Sequence, residues 1–167
     1  MYHIEGTHIR LLVGGASGQS GGEVREPWLQ SEYTVAYALR HRGVKCKNVG
    51  HYRRSWDIET QNGLRIDVKD SGLRNNRWTI NLRRRGRKKH GTPDFYIVCL
   101  RGLIGPNGPT HRAFVVLNAK DYQNQTMLIW TVKSLLMKHA SECGAWHRIV
   151  EAEAAKANGQ FELGAAA

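Results

Sequence analysis

Apolar and polar residues alternate most regularly between Ser55 and Lys69, where the pattern predicts a β-hairpin with one buried face. The apolar residues take every second position: Trp56, Ile58, Ile66 and Val68. They share one face only if Ile58 pairs with Ile66, which requires a loop of odd length. Gln61, Asn62 and Gly63 provide a three-residue loop with Gly63 in the left-handed conformation. A two-residue turn would bring a charge into the core.

This register places polar side chains together on the other face of the hairpin. Asp57 stands opposite Asp67, with Cβ atoms about 5 Å apart, and Lys69 follows two residues later on the same face. Two carboxylates this close repel each other unless a cation lies between them, and carboxylate oxygens with waters are ligands that Mg²⁺ accepts. The register therefore predicts a candidate magnesium site.

Upstream of the hairpin, the spacing predicts a helix from about Pro27 to Arg42, ended by Gly43. Helical spacing assigns its buried face to four residues: Leu29, Tyr33, Ala36 and Leu39. Glu32 projects from this apolar stripe or from its edge. The pattern leaves open whether its carboxylate reaches solvent or a functional site.

Shorter patterns predict the remaining elements. Strands are expected at Val44–Val49, Trp78–Leu82, Asp94–Leu100, His111–Leu117 and Met127–Val132, a polar turn at Asp70–Arg77, and a helix from Ser134 onward. The strand after Asp94 is apolar on both faces, which indicates a position inside a sheet. We interpret Asp94 as a cap at the start of this strand.

The 167 residues, 41% of them apolar, are typical of a globular protein of about one domain. Residues 1–27 are expected to form a strand and a Gly/Ser linker, residues 28–146 the main domain, and residues 147–167 a C-terminal helical tail. The chain shows neither an apolar stretch near the ~20 residues of a membrane span nor a secretory leader. We expect an intracellular protein, cytoplasmic or nucleoid-associated, that is not secreted and has no membrane partner.

The charge is strongly positive, at +11 with a sequence pI near 10.0, and indicates a polyanionic partner. Residues 1–27 and 147–167 each contain two basic and three acidic residues, so residues 28–146 carry the surplus. Two basic groups are the candidates for contact with nucleic-acid phosphates: Arg53 and Arg54, and the run Arg83, Arg84, Arg85, Arg87, Lys88 and Lys89.

Glu32 on a helix, Asp57 on a following strand and the Asp67-Val68-Lys69 run on the next strand resemble the motif of the PD-(D/E)XK nuclease superfamily. The resemblance covers roughly residues 28–100. It differs at Ser55-Trp56, where a proline often precedes the first aspartate, and at Asp67, where glutamate is commoner. The resemblance implies an α/β fold with a restriction-endonuclease-like core, in which helices flank a central mixed β-sheet.

Carried over residue by residue, the resemblance implies a catalytic set of Glu32, Asp57, Asp67 and Lys69. Asp57, Asp67 and the carbonyl of Val68 would bind Mg²⁺, for which Mn²⁺ would substitute. Lys69 would orient or help deprotonate the attacking water. Glu32 would reach the metal through water or help to hold a second ion.

The resulting expectation is a Mg²⁺-dependent endodeoxyribonuclease that cleaves duplex DNA at specific sites, of the homing or restriction type, and acts as a dimer or tetramer. Three alternatives stay open. The first is a Holliday junction resolvase, and the second is a non-catalytic DNA- or RNA-binding module on the same fold. The third is a basic RNA-binding protein in which the acidic residues only pair with arginines.

Overall fold

A computed structural model describes residues 27–49, 55–82, 91–105 and 108–159. Three α-helices and seven strands follow one another within these ranges: α1 (Pro27–Arg40), β1 (Cys46–Asn48), β2 (Ile58–Thr60), β3 (Arg65–Gly72), β4 (Trp78–Asn81), β5 (Phe95–Gly105), β6 (Gly108–Asn118), β7 (Met127–Trp130), α2 (Val132–Lys138) and α3 (His147–Ala157). Short 3₁₀ helices occupy Ala119–Tyr122 and Ala140–Glu142. The helix predicted from Pro27 ends near its predicted boundary, and Gly43 follows with a φ of +82°.

Five strands form the main sheet in the order β1-β2-β3-β5-β6. The β3–β5 pair is parallel and the other pairs are antiparallel, so the sheet is mixed. The strands β4 and β7 form a separate antiparallel pair. The long apolar strand β5 lies between β3 and β6, and its residues from Phe95 to Leu100 are all buried, as its sequence predicts.

Each face of the main sheet is covered by a different layer. On one face, α1 and α3 pack against the sheet in a core that includes Leu39, Ile66 and Ile149. On the other face, the β4–β7 pair and α2 pack in a second core that includes Trp78, Val98 and Leu135. The expected α/β architecture, a central mixed sheet flanked by helices, is confirmed.

The hairpin has the predicted register. Ile58 pairs with Ile66, and Glu59 pairs with Arg65. The three-residue loop is also confirmed, since Gly63 has a φ of +81° and its N–H donates to Thr60 O at 3.0 Å. Within the described residues the hydrophobic pattern thus determines which residues face each other, although Asn62-Gly63 alone favours a shorter turn.

The prediction of a buried face was wrong for Tyr33, whereas Trp56 is buried as predicted but lies outside the expected cluster. Tyr33 is 50% exposed, because the buried stripe of α1 runs through Val35, Ala36 and Leu39 and leaves Tyr33 on the outer side. Trp56 is buried but does not belong to the core cluster of Ile58, Ile66 and Val68. The regular pairing ends at Ile58, and the indole packs instead against Arg65 and Gly91.

The predicted polar turn at Asp70–Arg77 begins too early, because β3 continues through Gly72. The parallel pairing with β5 extends from Ile66 to Gly72 and keeps Asp70, Ser71 and Gly72 in the sheet. The turn proper lies around Asn75 and Asn76, which have φ values of +49° and +59°. Pairing with a long partner strand has overridden the low strand propensity of Asp, Ser and Gly here.

The predicted helical tail contains α3, whose Ile149 and Ala152 belong to the first core. The predicted N-terminal strand and linker lie outside the described residues. No helix in the described ranges is long and apolar enough to cross a membrane.

Candidate active site

The hairpin brings the carboxyls of Asp57 and Asp67 together just beyond the Ile58–Ile66 pair, where the regular register ends. Asp57 N donates to Ile66 O at 2.9 Å, so Asp57 stands against Ile66, as Ile58 does, and not directly opposite Asp67 as the regular register predicts. The next N–H, that of Val68, donates to Asp57 Oδ2 at 2.7 Å. The Asp57 carboxylate is therefore oriented by the backbone of the strand that carries Asp67.

Lys69 contacts the second aspartate directly. Its Nζ lies 2.7 Å from Asp67 Oδ1 and 2.6 Å from Asp67 Oδ2. Side chains two residues apart on a strand project from the same face, so the strand itself brings Lys69 to Asp67. Two carboxylates and one amine therefore meet on one face of the hairpin, as the sequence predicts.

Burial sets the proton affinity of Asp67, whose carboxylate is almost completely enclosed. Desolvation raises the pKa of Asp67 from its ordinary value of 3.8 to about 7. Lys69 opposes this shift by favouring the charged form, while the neighbouring Asp57 carboxyl adds to it. Without a further cation, ionisation of both carboxyls of the pair is therefore unfavourable in free energy.

Oxygen donors and charge make this pair suitable for a divalent cation. Asp67 Oδ2 is buried and receives no hydrogen bond of good geometry from the described residues, even though Lys69 Nζ is close. A hard cation such as Mg²⁺ prefers carboxylate oxygens and would favour the charged form of Asp67, which desolvation and the neighbouring Asp57 carboxyl disfavour. Asp57 and Asp67 thus fit a magnesium site in donor type and in electrostatics.

Glu32 lies on α1 and is 5% exposed, so its carboxylate does not reach freely into solvent. Among the described residues, however, no three His, Cys, Asp or Glu side chains come together as a group that could hold a metal. The structure brings together Asp57, Asp67 and Lys69 and does not add Glu32 as a third carboxylate of the same group. Val68 is on β3 between Asp67 and Lys69, and its side chain is buried.

Asp70 directly follows Lys69 in the chain and, unlike Lys69, projects towards α1, a contact that the sequence pattern did not predict. Its Oδ2 accepts a hydrogen bond from Ser31 Oγ at 2.5 Å, and its Oδ1 accepts one from Arg101 Nε at 2.7 Å. These contacts join α1, β3 and β5 directly after Lys69. The long apolar run from Phe95 could have indicated that β3 extends through Asp70, because a long parallel strand pairs with a long partner strand.

Asp94 behaves as the predicted cap at the start of β5. Its Oδ2 accepts from Arg65 N at 2.8 Å, and its own N–H donates to Arg65 O at 2.7 Å. Asp94 O also accepts from Ala119 N at 3.0 Å. The first two bonds tie the start of β5 to the start of β3, and the third ties it to Ala119, directly after the end of β6.

The predicted phosphate-contacting residues lie outside the described residues: Arg53, Arg54, Arg83, Arg84, Arg85, Arg87, Lys88 and Lys89. Their role stays a prediction. Ser55 and Leu82, which border these two segments, are buried. Gly91, which follows the second segment, lies against Trp56, the residue before Asp57.

No protein-family model matches the chain, and no curated protein sequence matches it. Among solved structures, the chain is similar to a bacterial homing endonuclease, I-Ssp6803I, with a TM-score of 0.59 and 15% sequence identity. The similarity covers 83% of this chain and 99% of that chain. The fold described above is therefore the fold of a known homing endonuclease.

Proposed function

We propose that the protein is a magnesium-dependent endonuclease of the PD-(D/E)XK type that hydrolyses phosphodiester bonds in duplex DNA. The observation that carries the proposal is the close approach of the Asp57 and Asp67 carboxyls on the hairpin, with Lys69 Nζ 2.7 Å from Asp67 Oδ1. A solvent-exposed hairpin face explains cross-strand ion pairs but gives no reason to place two carboxylates side by side. The strong positive charge supports a nucleic acid as the partner.

Asp57 and Asp67, with the Val68 carbonyl, would hold the Mg²⁺ ion. When bound, the ion would supply charge neutralisation at the phosphate and a water of lowered pKa. Lys69 would then orient this water or accept its proton and would face the negative charge that develops in the transition state. Glu32, buried on the neighbouring helix, would act through an intervening water.

The similarity to a homing endonuclease favours cleavage at specific duplex sites over cleavage of four-way junctions. Cutting both strands of a duplex requires two active sites, so we propose that the chain acts as a dimer or tetramer. The basic segments around Arg53 and Arg83 would hold the phosphate backbone and contribute affinity without sequence information.

Cleavage of a random-sequence duplex library, compared with a four-way junction, tests the proposal. We expect the library to be cut with Mg²⁺ and left intact with EDTA. Asp57→Asn should abolish cutting, since it removes a carboxylate charge from the metal site. The exposed Asp121 offers the matched control, and Asp121→Asn should cut like the wild type.

Two results would contradict this proposal. One is Asp57→Asn cutting as fast as the wild type, which would show that the two neighbouring carboxylates are not needed. The other is salt-sensitive binding of DNA with no cutting of any library member, which would favour a binding module. Cutting of the four-way junction but not of the duplex library would favour a junction resolvase.

A further inference from the structure

Arg65 stacks on Trp56 at the turn-proximal end of the candidate active site. The guanidinium carbon of Arg65 lies 4.6 Å from the centroid of the Trp56 ring. This is a cation–π distance, and the indole face is the most favourable partner for such a contact. Trp56 is 8% exposed and forms a fixed base, whereas Arg65 is exposed to solvent.

The position of this pair follows from the register of the hairpin. Arg65, Asp67 and Lys69 alternate along β3 and therefore project from one face, with about 7 Å between successive members. Trp56 directly precedes Asp57 in the chain. A positively charged group therefore stands on each side of Asp67, with Lys69 on one side and Arg65 on the other.

The surroundings hold both members of the pair in place. A Cβ atom at Gly91, whose φ is +85°, would lie 3.0 Å from Trp56 Cζ3 and 3.4 Å from Arg65 Nη1. The chain at Gly91 thus packs against the stacked pair as closely as a residue without a side chain allows. The backbone of Arg65 is fixed as well, by the two hydrogen bonds to Asp94 described above.

The Arg65 guanidinium keeps its polar edge available. Within the described ranges, no carboxylate forms an ion pair with it. A planar guanidinium offers parallel N–H donors that match the oxygens of a phosphate. Stacking fixes the plane beforehand, so less side-chain freedom is lost on binding.

We propose that the stacked pair of Arg65 and Trp56 is a fixed phosphate-binding arm, and that Arg65 contacts a backbone phosphate next to the one that is cleaved. This inference rests on the proposed nuclease function. The arm holds the DNA strand over Asp57, Asp67 and Lys69. Arg65 is therefore a positioning residue that contributes affinity and register but no sequence preference.

Binding and cleavage by Arg65→Ala and Arg65→Lys test this inference, with Arg77→Ala as the control that removes the same charge from an exposed turn. The probe is a labelled duplex of random sequence, bound without Mg²⁺ over a series of salt concentrations. We expect Arg65→Ala to weaken binding about tenfold and to reduce the salt slope by about 1. Arg65→Lys should keep the slope but recover only part of the affinity, because lysine lacks the planar fork.

Cleavage kinetics on the duplexes that the wild type cuts give a second measurement. We expect Arg65→Ala to raise KM more than it lowers kcat, with an unchanged thermal unfolding midpoint. Equal affinity and salt slope in Arg65→Ala and Arg77→Ala, in a protein whose wild type binds and cuts DNA, would overturn this inference and leave the proposed function intact. A wild type that neither binds nor cuts DNA would overturn both.

Discussion

Asp67 has a proton affinity that depends on its surroundings in the fold. Its pKa is raised to about 7, so the folded, metal-free protein holds this proton more tightly than the unfolded chain does, whose value stays near 3.8. Below the pKa of the unfolded chain the group is protonated in both states and costs nothing, and the free energy of unfolding falls between the two pKa values because only the unfolded chain releases the proton there. The metal-free protein should therefore lose stability as the pH rises from about 4 to about 7.

Asp67→Asn tests this pH dependence of stability, because asparagine keeps the shape of the aspartate side chain but has no titratable proton. In EDTA, we expect the unfolding temperature of the variant to rise relative to the wild type at pH 8 and to stay close to it at pH 4. Thermal unfolding at both pH values checks this, with Asp121→Asn as the exposed control. A difference of the same size at both pH values would show that Asp67 does not ionise as described.

Single-residue roles were predictable from the sequence where the strand period fixed them and not elsewhere. Alternation placed Asp57, Asp67 and Lys69 together, because a period of two leaves no other face available. Trp56 escaped the same rule because the regular pairing ends just before it. Tyr33 was misplaced because a tyrosine at the edge of an amphipathic helix can lie outward with its hydroxyl in water.

At the level of the elements, α3 fixes the turn of the hairpin between β2 and β3. Glu153 is buried and accepts from Thr60 Oγ1 at 2.5 Å and from Asn62 N at 3.0 Å. One turn later, Lys156 Nζ donates to Gly63 O at 2.8 Å. A helix from the C-terminal part of the chain therefore contacts the loop of the hairpin that brings the Asp57 and Asp67 carboxyls together.

Glu153→Ala should destabilise the protein by about 1–3 kcal/mol, because it leaves the Thr60 hydroxyl and the Asn62 N–H without their buried acceptor. Glu153→Gln keeps one acceptor oxygen and should lose less. Urea unfolding measures both, and Glu151→Ala on the exposed side of α3 is the control. If Glu153→Ala and Glu151→Ala unfolded at the same urea concentration, the contact between α3 and the turn would contribute nothing to the free energy of unfolding.

Local pattern sufficed for the hairpin but not for the extent of its second strand. The turn residues and the apolar alternation lie within fifteen residues of one another, so the register follows from local sequence. The continuation of β3 through Gly72 depends on pairing with β5, which starts at Phe95. Contacts over such sequence separations leave little mark on the local pattern, and Asp70 was therefore assigned to a turn.

For the molecule as a whole, the positive charge is concentrated between residues 28 and 146, which include the candidate site. Neutralising DNA phosphates releases condensed counterions, so binding should weaken steeply as salt is added. If six or more phosphates are contacted, affinity should fall about 10³-fold or more between 50 and 200 mM salt. Fluorescence anisotropy with a labelled duplex measures this slope, and a slope near zero would show that the charge does not face DNA.

The sequence did not allow us to predict which elements cover each face of the main sheet. The order of the elements and the resemblance of Glu32, Asp57 and Asp67-Val68-Lys69 to a nuclease motif gave the α/β class. They did not indicate that α1 and α3 would share one face while β4 and β7 pair over the other. That arrangement depends on which apolar surfaces fit together in three dimensions.

Lys69→Ala is the most direct test of the proposed nuclease site, because it removes the amine that contacts Asp67 and leaves the carboxylates of Asp57 and Asp67 in place. DNA affinity without added metal and cleavage with Mg²⁺ are measured for this variant, the wild type and Lys133→Ala, which removes the same group from an exposed position on α2. We expect Lys69→Ala still to bind DNA but to cut about 10²–10³ times more slowly, while Lys133→Ala cuts normally. Cutting by Lys69→Ala at the wild-type rate would show that this amine has no part in cleavage and that the proposed site is wrong.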